Sequence, residues 1–282
     1  MNTNTANTRY ILLYDEHCPL CDWYTRQFVR LGYLQPEGRQ TLHAWERQEE
    51  ASLYPDPARA LHEIPLLDLQ EGNVVYGIDA LLRLLGQRMP WIEKLGQLPL
   101  LHGGLRLFYA FISYNRRMMA GAHPCEGACT PDFHAGWRYA WLAVAALFCT
   151  LVTVLAGKAA GEAWLGEAVG PLPALLITGS GWALFLLLTL GLPYRLRMDY
   201  LGQLAAVGFV GVLLLLPGFL IQAVLPLAAP WAWAALVACS YSFMYRMVRQ
   251  RTQAVLLPAW YGHSWAMLLF VMAPLSAWFL LF

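Results

Sequence analysis

Two regimes of hydrophobic patterning divide the chain. Up to about residue 136, short apolar runs alternate with charged and turn-forming residues; beyond it the apolar runs lengthen and polar residues survive only as short patches. In the first regime "RYILLY" at 9–14 is an apolar run closed by an acidic turn, the pattern of a short buried strand. A helical pattern follows, with Trp23, Tyr24, Phe28, Val29 and Leu31 offering an apolar face and Gly32 near its end. "RQTLHAW" at 39–45 suits a second strand, and a strand–helix–strand order favours parallel pairing. A polar, proline-punctuated stretch with room for one short helix comes next. "IPLLDLQEGNVVYG" then reads as a hairpin turning at Glu71–Asn73, and "IDALLRLLGQ" as an amphipathic helix with Leu81, Leu82, Leu84 and Leu85 mostly inward.

In the second regime five stretches approach the roughly 20 apolar residues a membrane-spanning helix needs: 138–157, 172–192, 200–222, 227–245 and 260–282. Composition agrees with this reading. Of 282 residues, 58% are hydrophobic and only 13% charged, against about 25% charged in ordinary soluble domains, so one expected partner is the lipid bilayer. A formal net charge of +1 excludes bulk electrostatic attraction to nucleic acid. The polar N-terminus "MNTNTANTRY" lacks the basic flank and apolar core of a signal peptide. Arg116, Arg117 and Arg138 precede the first span, Arg195 and Arg197 separate the second and third, and Arg246, Arg249 and Arg251 separate the fourth and fifth. The opposite loops carry only Lys158 beside Glu162 and Glu167. The positive-inside rule then places the N-terminal head in the cytoplasm and the C-terminus outside. The expectation is an integral membrane protein of a bacterial inner membrane, with a head at 8–122, a linker at 123–136 and a helical membrane domain at 137–282.

The chemistry gathers in "DEHCPLC", where Cys18 and Cys21 open the first helical pattern. Two intervening residues at a helix start put both sulfurs on one side, within bridging distance. Cys18 at the helix N-terminus gains thiolate stability from the free N–H groups and the dipole, and Pro19 suits the first turn, where its missing N–H is no loss. Cys18 is therefore the expected accessible nucleophile and Cys21 the more buried resolving thiol. His17 either supports the thiolate when charged or faces solvent. Asp15 has two readings: a carboxyl that moves the Cys21 proton during resolution, or a side chain that caps the turn. A second pair, Cys125 and Cys129 with His123 and His134 alongside, lies in the Gly/Pro-rich linker. It could relay thiols to Cys18, hold zinc or copper alone or together with the first pair, or be inert. Cys149 and Cys239 fall within spans and read as packing residues.

The order β-α-β-(α)-β-β-α is similar to that of thioredoxin-like domains. With Asp15, Cys18 and Cys21 in place, the head resembles the DCC family of thiol-disulfide oxidoreductases, named for an Asp-x-x-Cys-x-x-Cys pattern after the first strand. Gly77, Asp79 and Ala80, and the aromatic, arginine-rich helix from Phe108 to Gly121, match its later landmarks; Glu16 stands where the family usually has Gly. The resemblance covers roughly residues 8–125 and implies a cis bond before Pro65, with Ile64 and Pro65 receiving the backbone of a substrate. The fold class expected is thus an α/β thioredoxin-like domain followed by an all-α polytopic membrane domain of about five helices. The expected function is dithiol–disulfide exchange through Cys18 and Cys21 with no bound cofactor, on a protein or small thiol/disulfide substrate, with a membrane-protein partner open. The alternatives are thiolate-based handling of zinc or copper, and a non-catalytic adaptor.

Overall fold

The computed structural model describes residues 8–48, 53–121, 132–167 and 170–268. The chain divides into two compact units, Met1–Trp137 and Arg138–Phe282.

The first unit is built on a mixed four-stranded sheet in the order β2-β1-β3-β4. The strands are β1 (Tyr10–Tyr14), β2 (Arg39–Thr41), β3 (Pro65–Asp68) and β4 (Asn73–Tyr76). β2 runs parallel to β1, whereas β1–β3 and β3–β4 are antiparallel. Among the described residues the unit also holds the α-helices α1 (Pro19–Arg30), α2 (Leu42–Glu46), α3 (Pro57–Ala60), α4 (Gly77–Gly86), α5 (Pro90–Gly96) and α6 (Pro99–Ala120). β1 is an unbroken apolar run because both of its faces are covered. Tyr10, Leu12 and Tyr14 join Leu66, Ala80 and Leu84 in one cluster, while Ile11 and Leu13 meet Trp45 and Leu67 in another. That two-fold alternation is the pleat of the strand.

Four expectations need correction. The second strand stops at Thr41, whose hydroxyl accepts the Ala44 N–H at 3.1 Å and caps α2. His43–Trp45 are therefore helical, which turns Trp45 onto the cluster of Ile11 and Leu13. On α1, Trp23 and Leu31 are 61% and 60% exposed. Cys21 and Thr25 set the buried face, with Tyr24, Phe28 and Val29 packed beside it; Trp23, about 200° round from Cys21 at 100° per residue, points away. The Ile64–Pro65 peptide is trans, not cis. An extended link there lets the Ile64 carbonyl accept the Gly77 N–H at 2.9 Å and keeps Pro65 opposite Tyr76 in the ladder.

The second unit contains α7 (Ala135–Leu165, begun in the last residues of the first), α8 (Leu172–Leu188), α9 (Tyr194–Leu213), α10 (Leu216–Val224) and α11 (Ala229–Ala254). α9 is its axis: Tyr200, Leu201, Leu204 and Val207 are buried against α8 and α11 residues including Phe185 and Val248. Polar ties fix the packing. Trp141 Nε1 donates to the Gly202 carbonyl at 2.9 Å, Ser240 Oγ to the Gly211 carbonyl at 2.7 Å, and the Tyr200 and Thr252 hydroxyls lie 2.8 Å apart.

The fourth correction is the span count. Among the described residues three helices, not five, are long and apolar enough to cross a membrane: Ala135–Leu165, Tyr194–Val224 and Pro226–Ala254. α8 has 17 residues, about 25 Å at 1.5 Å per residue, short of the ~30 Å hydrocarbon core. Of the expected fifth span, residues 269–282 lie outside the described residues.

Candidate functional site

Cys18 is the N-cap of α1, with extended backbone (φ −101°, ψ 104°), and Pro19 occupies the first turn. The cysteine thereby caps its own helix: its Sγ accepts the Cys21 N–H at 3.3 Å. The Cys21 Sγ lies 2.7 Å from the Cys18 Sγ and donates its proton to it. Both thiols are free, and small side-chain rotations would close a bond of ~2.05 Å.

Both thiols are buried, so neither is openly accessible in this conformation. Cys18 is 0% exposed and Cys21 5%, because an N-capping side chain folds back over the helix end instead of projecting outward. Cys18 thereby joins the cluster of Tyr10, Leu12 and Tyr14. Cys21 opens on a chamber of about 20 Å³ that it shares with Asp15, Tyr24, Ile64, Pro65 and Arg116, room for about one water. The structure thus brings together Asp15, Cys18, Cys21, Ile64 and Pro65. Cys125 and Cys129 lie outside the described residues.

The two thiols are electrostatically unequal. The hydrogen bond from Cys21 does most to lower the Cys18 pKa; burial opposes it, the Cys21 amide and Arg116 assist, and Asp15 pushes back, leaving Cys18 at about 7. For Cys21 the same bond, now as donor, and burial both raise the pKa far above the ordinary thiol range. The pair therefore joins one thiol that ionises near neutral pH to one that keeps its proton there.

Asp15 is 7% exposed and accepts the His17 N–H at 3.0 Å through Oδ1, while its carbonyl accepts the Cys18 N–H at 3.1 Å. It closes the turn that delivers Cys18 to the helix start, as the capping reading expects, and it also faces the dithiol chamber. His17 is exposed. From β2, Arg39 Nε donates to Thr25 Oγ1 at 3.0 Å and its guanidinium pairs with Asp22, holding the first half of α1 against the sheet edge.

Arg116 is the residue that pattern reading missed, having counted it as a juxtamembrane cation. It is 7% exposed, lines the dithiol chamber, and its Nη2 donates to the Leu61 carbonyl at 3.1 Å. Burial works against its charge, but Cys21, Cys18, Tyr24 and Tyr109 outweigh that and raise its pKa. Tyr109, pushed up to about 12 chiefly by burial, accepts the Ile64 N–H on its hydroxyl at 2.9 Å. The available signal was spacing: Tyr109, Ser113 and Arg116 recur at i, i+4 and i+7, a polar stripe on one face of α6.

Replacing Arg116 by methionine is expected to raise the Cys18 pKa and slow its alkylation at pH 7 severalfold, with Arg116→Lys retaining most of the wild-type rate. The pH dependence of iodoacetamide labelling measures this. Among the described residues, no three His, Cys, Asp or Glu side chains gather as a metal site.

Residues 12–122 match the family of DCC1-like thiol-disulfide oxidoreductases. No curated protein and no solved structure matches the chain.

Proposed function

Starting from residues 12–122 as a DCC1-like thiol-disulfide oxidoreductase domain, we propose that the protein carries out dithiol–disulfide exchange through Cys18 and Cys21 on a domain attached to membrane-crossing helices. The carrying observation is the unequal pair at the helix start, a Cys18 near pKa 7 and hydrogen-bonded to a protonated Cys21. The strand order β2-β1-β3-β4 supports a thioredoxin-like reading of the domain.

In the reducing direction the Cys18 thiolate attacks one sulfur of a substrate disulfide, forming a mixed disulfide and expelling one thiolate. Cys21 then loses its proton and attacks Cys18, closing the Cys18–Cys21 disulfide and expelling the second thiolate. Two electrons pass from the dithiol to the substrate, and the two released thiolates take up two protons. Asp15, on the wall of the same chamber, is the nearby carboxylate assigned to move the Cys21 proton through a water. Ile64 and Pro65 border the approach to the pair and are assigned to receive the substrate.

The check is stoichiometric. With the other four cysteines replaced, the reduced protein should release two arylthiolates per chain from an aromatic disulfide. Release of a single one would mean that no resolving step occurs.

The helices anchor this head, and we assign the head to the cytoplasmic side. In a reducing compartment the resting form is then the dithiol. The orientation rests on exposed arginines, Arg195, Arg246 and Arg249. Arg116 belongs to the dithiol chamber, Arg138 is paired with Asp199 at 3.0 Å and Arg251 is buried, so these three weigh less. A reporter fused to the C-terminus should be active only outside the cytoplasm; a cytoplasmic signal would reverse the assignment.

A further inference from the structure

A chamber of about 20 Å³ cannot admit a substrate, so the body of any molecule that exchanges with the dithiol must be held beside it. Next to it lies a groove of about 510 Å³, walled by the loop after α3, the β4–α4 junction and the middle of α6. That volume is in the ~300–1,000 Å³ range of small-molecule sites. The loop serves both spaces: His62 and Glu63 line the groove, while Ala60, Ile64 and Pro65 line the dithiol chamber. Tyr109 ties them together, since it lines the groove and its hydroxyl holds the Ile64 amide.

The charges of the groove are mostly spent within the protein. Arg59 pairs with Glu63 at 2.8 Å and lies over the Tyr76 ring at 4.0 Å; Asp79 pairs with His102 at 2.7 Å. Arg106 lines the groove, is exposed, and has no ion-pair or hydrogen-bond partner among the described residues. The lining therefore carries one uncompensated guanidinium, the group suited to a carboxylate. His62 is engaged on its other side: its ring stacks on Tyr114 at 4.9 Å and its Nε2 lies 3.2 Å from the Asp132 carboxylate. The floor is kept low by Gly103, where an added Cβ would meet nothing within 4 Å. A glycine inside a helix costs about 1 kcal/mol relative to alanine, and here it leaves space.

Building on the exchange reading above, we propose that this groove binds a small disulfide or thiol bearing a carboxylate, of the short cysteine-peptide class, with Arg106 holding the carboxylate. The sulfur end then lies at the loop bordering the dithiol. A ligand group that takes over the Tyr109 hydroxyl frees the Ile64 amide, coupling occupancy of the groove to movement of the wall in front of Cys21. The exchange itself is balanced as before: one bound disulfide accepts two electrons, the Cys18–Cys21 bond forms, and two thiols leave.

The test compares oxidation of the reduced protein, its other four cysteines replaced, by glutathione disulfide, which is anionic, and by bis(2-hydroxyethyl) disulfide, which is neutral. Wild type should show saturation with glutathione disulfide and a preference for it at low concentration. Arg106→Gln should lower the ratio of the two rates roughly tenfold, the worth of about one charge-assisted hydrogen bond. Gly103→Phe, which fills the floor from outside the dithiol, should lower it similarly, and Arg30→Gln, exposed on α1, should leave it unchanged. An unsaturable wild type without preference, or variants that keep the wild-type ratio, would overturn the proposal. If neither disulfide oxidises the pair, the exchange reading falls. Binding of unreactive S-methylglutathione, measured calorimetrically, then decides the groove by itself: binding weakened by Arg106→Gln supports it, and no binding overturns it.

Discussion

Cys18→Ala is expected to abolish disulfide exchange, whereas Cys21→Ala should leave a protein that reacts once and stops. The difference follows from the roles proposed for the two sulfurs. Without Cys18 the remaining thiol has its pKa raised by burial and lacks a thiolate neighbour, so no nucleophile forms near neutral pH. Without Cys21, Cys18 loses the thiol hydrogen bond that does most to lower its pKa to about 7. If the value returns to the ordinary ~8.5, the thiolate fraction at pH 7 falls from about half to roughly 3%. Nucleophilicity rises with pKa (Brønsted slope ~0.4–0.5), so attack slows only about threefold. The mixed disulfide then persists because nothing resolves it. With the other four cysteines replaced, intact-protein mass spectrometry after mixing with a small disulfide distinguishes the cases: no adduct for Cys18→Ala, and a stable one-to-one adduct for Cys21→Ala. Full turnover by either variant would contradict the assignment.

The largest stability effect in the head is expected at Asp68, a carboxylate with 0% exposure at the end of β3. It is paired with Arg9 at 3.0 Å and Arg83 at 3.3 Å and accepts the Gln70 and Glu71 amides at 3.1 and 3.2 Å. Burial alone would raise its pKa; the Arg9 bond, the two amides and the Arg9 charge outweigh that and lower it. Asp68→Ala leaves the two turn amides without their acceptor and the Arg9 and Arg83 guanidiniums with Glu71 as their remaining carboxylate. The expected loss is about 3 kcal/mol, moderated because both arginines reach solvent, against a typical total of ~5–15 kcal/mol. Urea unfolding of the protein in detergent, followed by the head's tryptophan signal, measures it. A group whose folded pKa is depressed contributes stability above its unfolded pKa (~3.9) and loses it as pH falls through the folded value. Wild type should therefore lose this contribution on acidification below about pH 4, and Asp68→Ala should lack that component.

What could be read from the chain followed physical rules that act locally. β1 was legible because both faces are covered, and the helix start at Cys18 because proline and a two-residue cysteine spacing have a mechanical meaning there. The phase of α1 was not, since Trp23 and Leu31 are as apolar as the residues that pack and only the sheet decides which side is inside. The end of β2 turned on a single hydroxyl, Thr41, closing a helix onto Trp45. Arg116 was invisible as a site residue because α6 brings it to the dithiol across a long stretch of chain, and its neighbour Arg117 offers the same letter without the burial. Span counting failed at α8 for a related reason. Hydropathy extends to residue 192, but the helix ends at Leu188, where Thr189 turns its hydroxyl back on the Phe185 carbonyl at 3.1 Å, before Pro193.

The most direct test of the central claim is a redox titration of the purified protein in glutathione buffers, with thiols alkylated and read by mass spectrometry. Cys18 and Cys21 should pass together between dithiol and disulfide, reversibly, with a single two-electron midpoint. Independent labelling of the two cysteines across the series, or protection that ends only when a chelator is added, would contradict it.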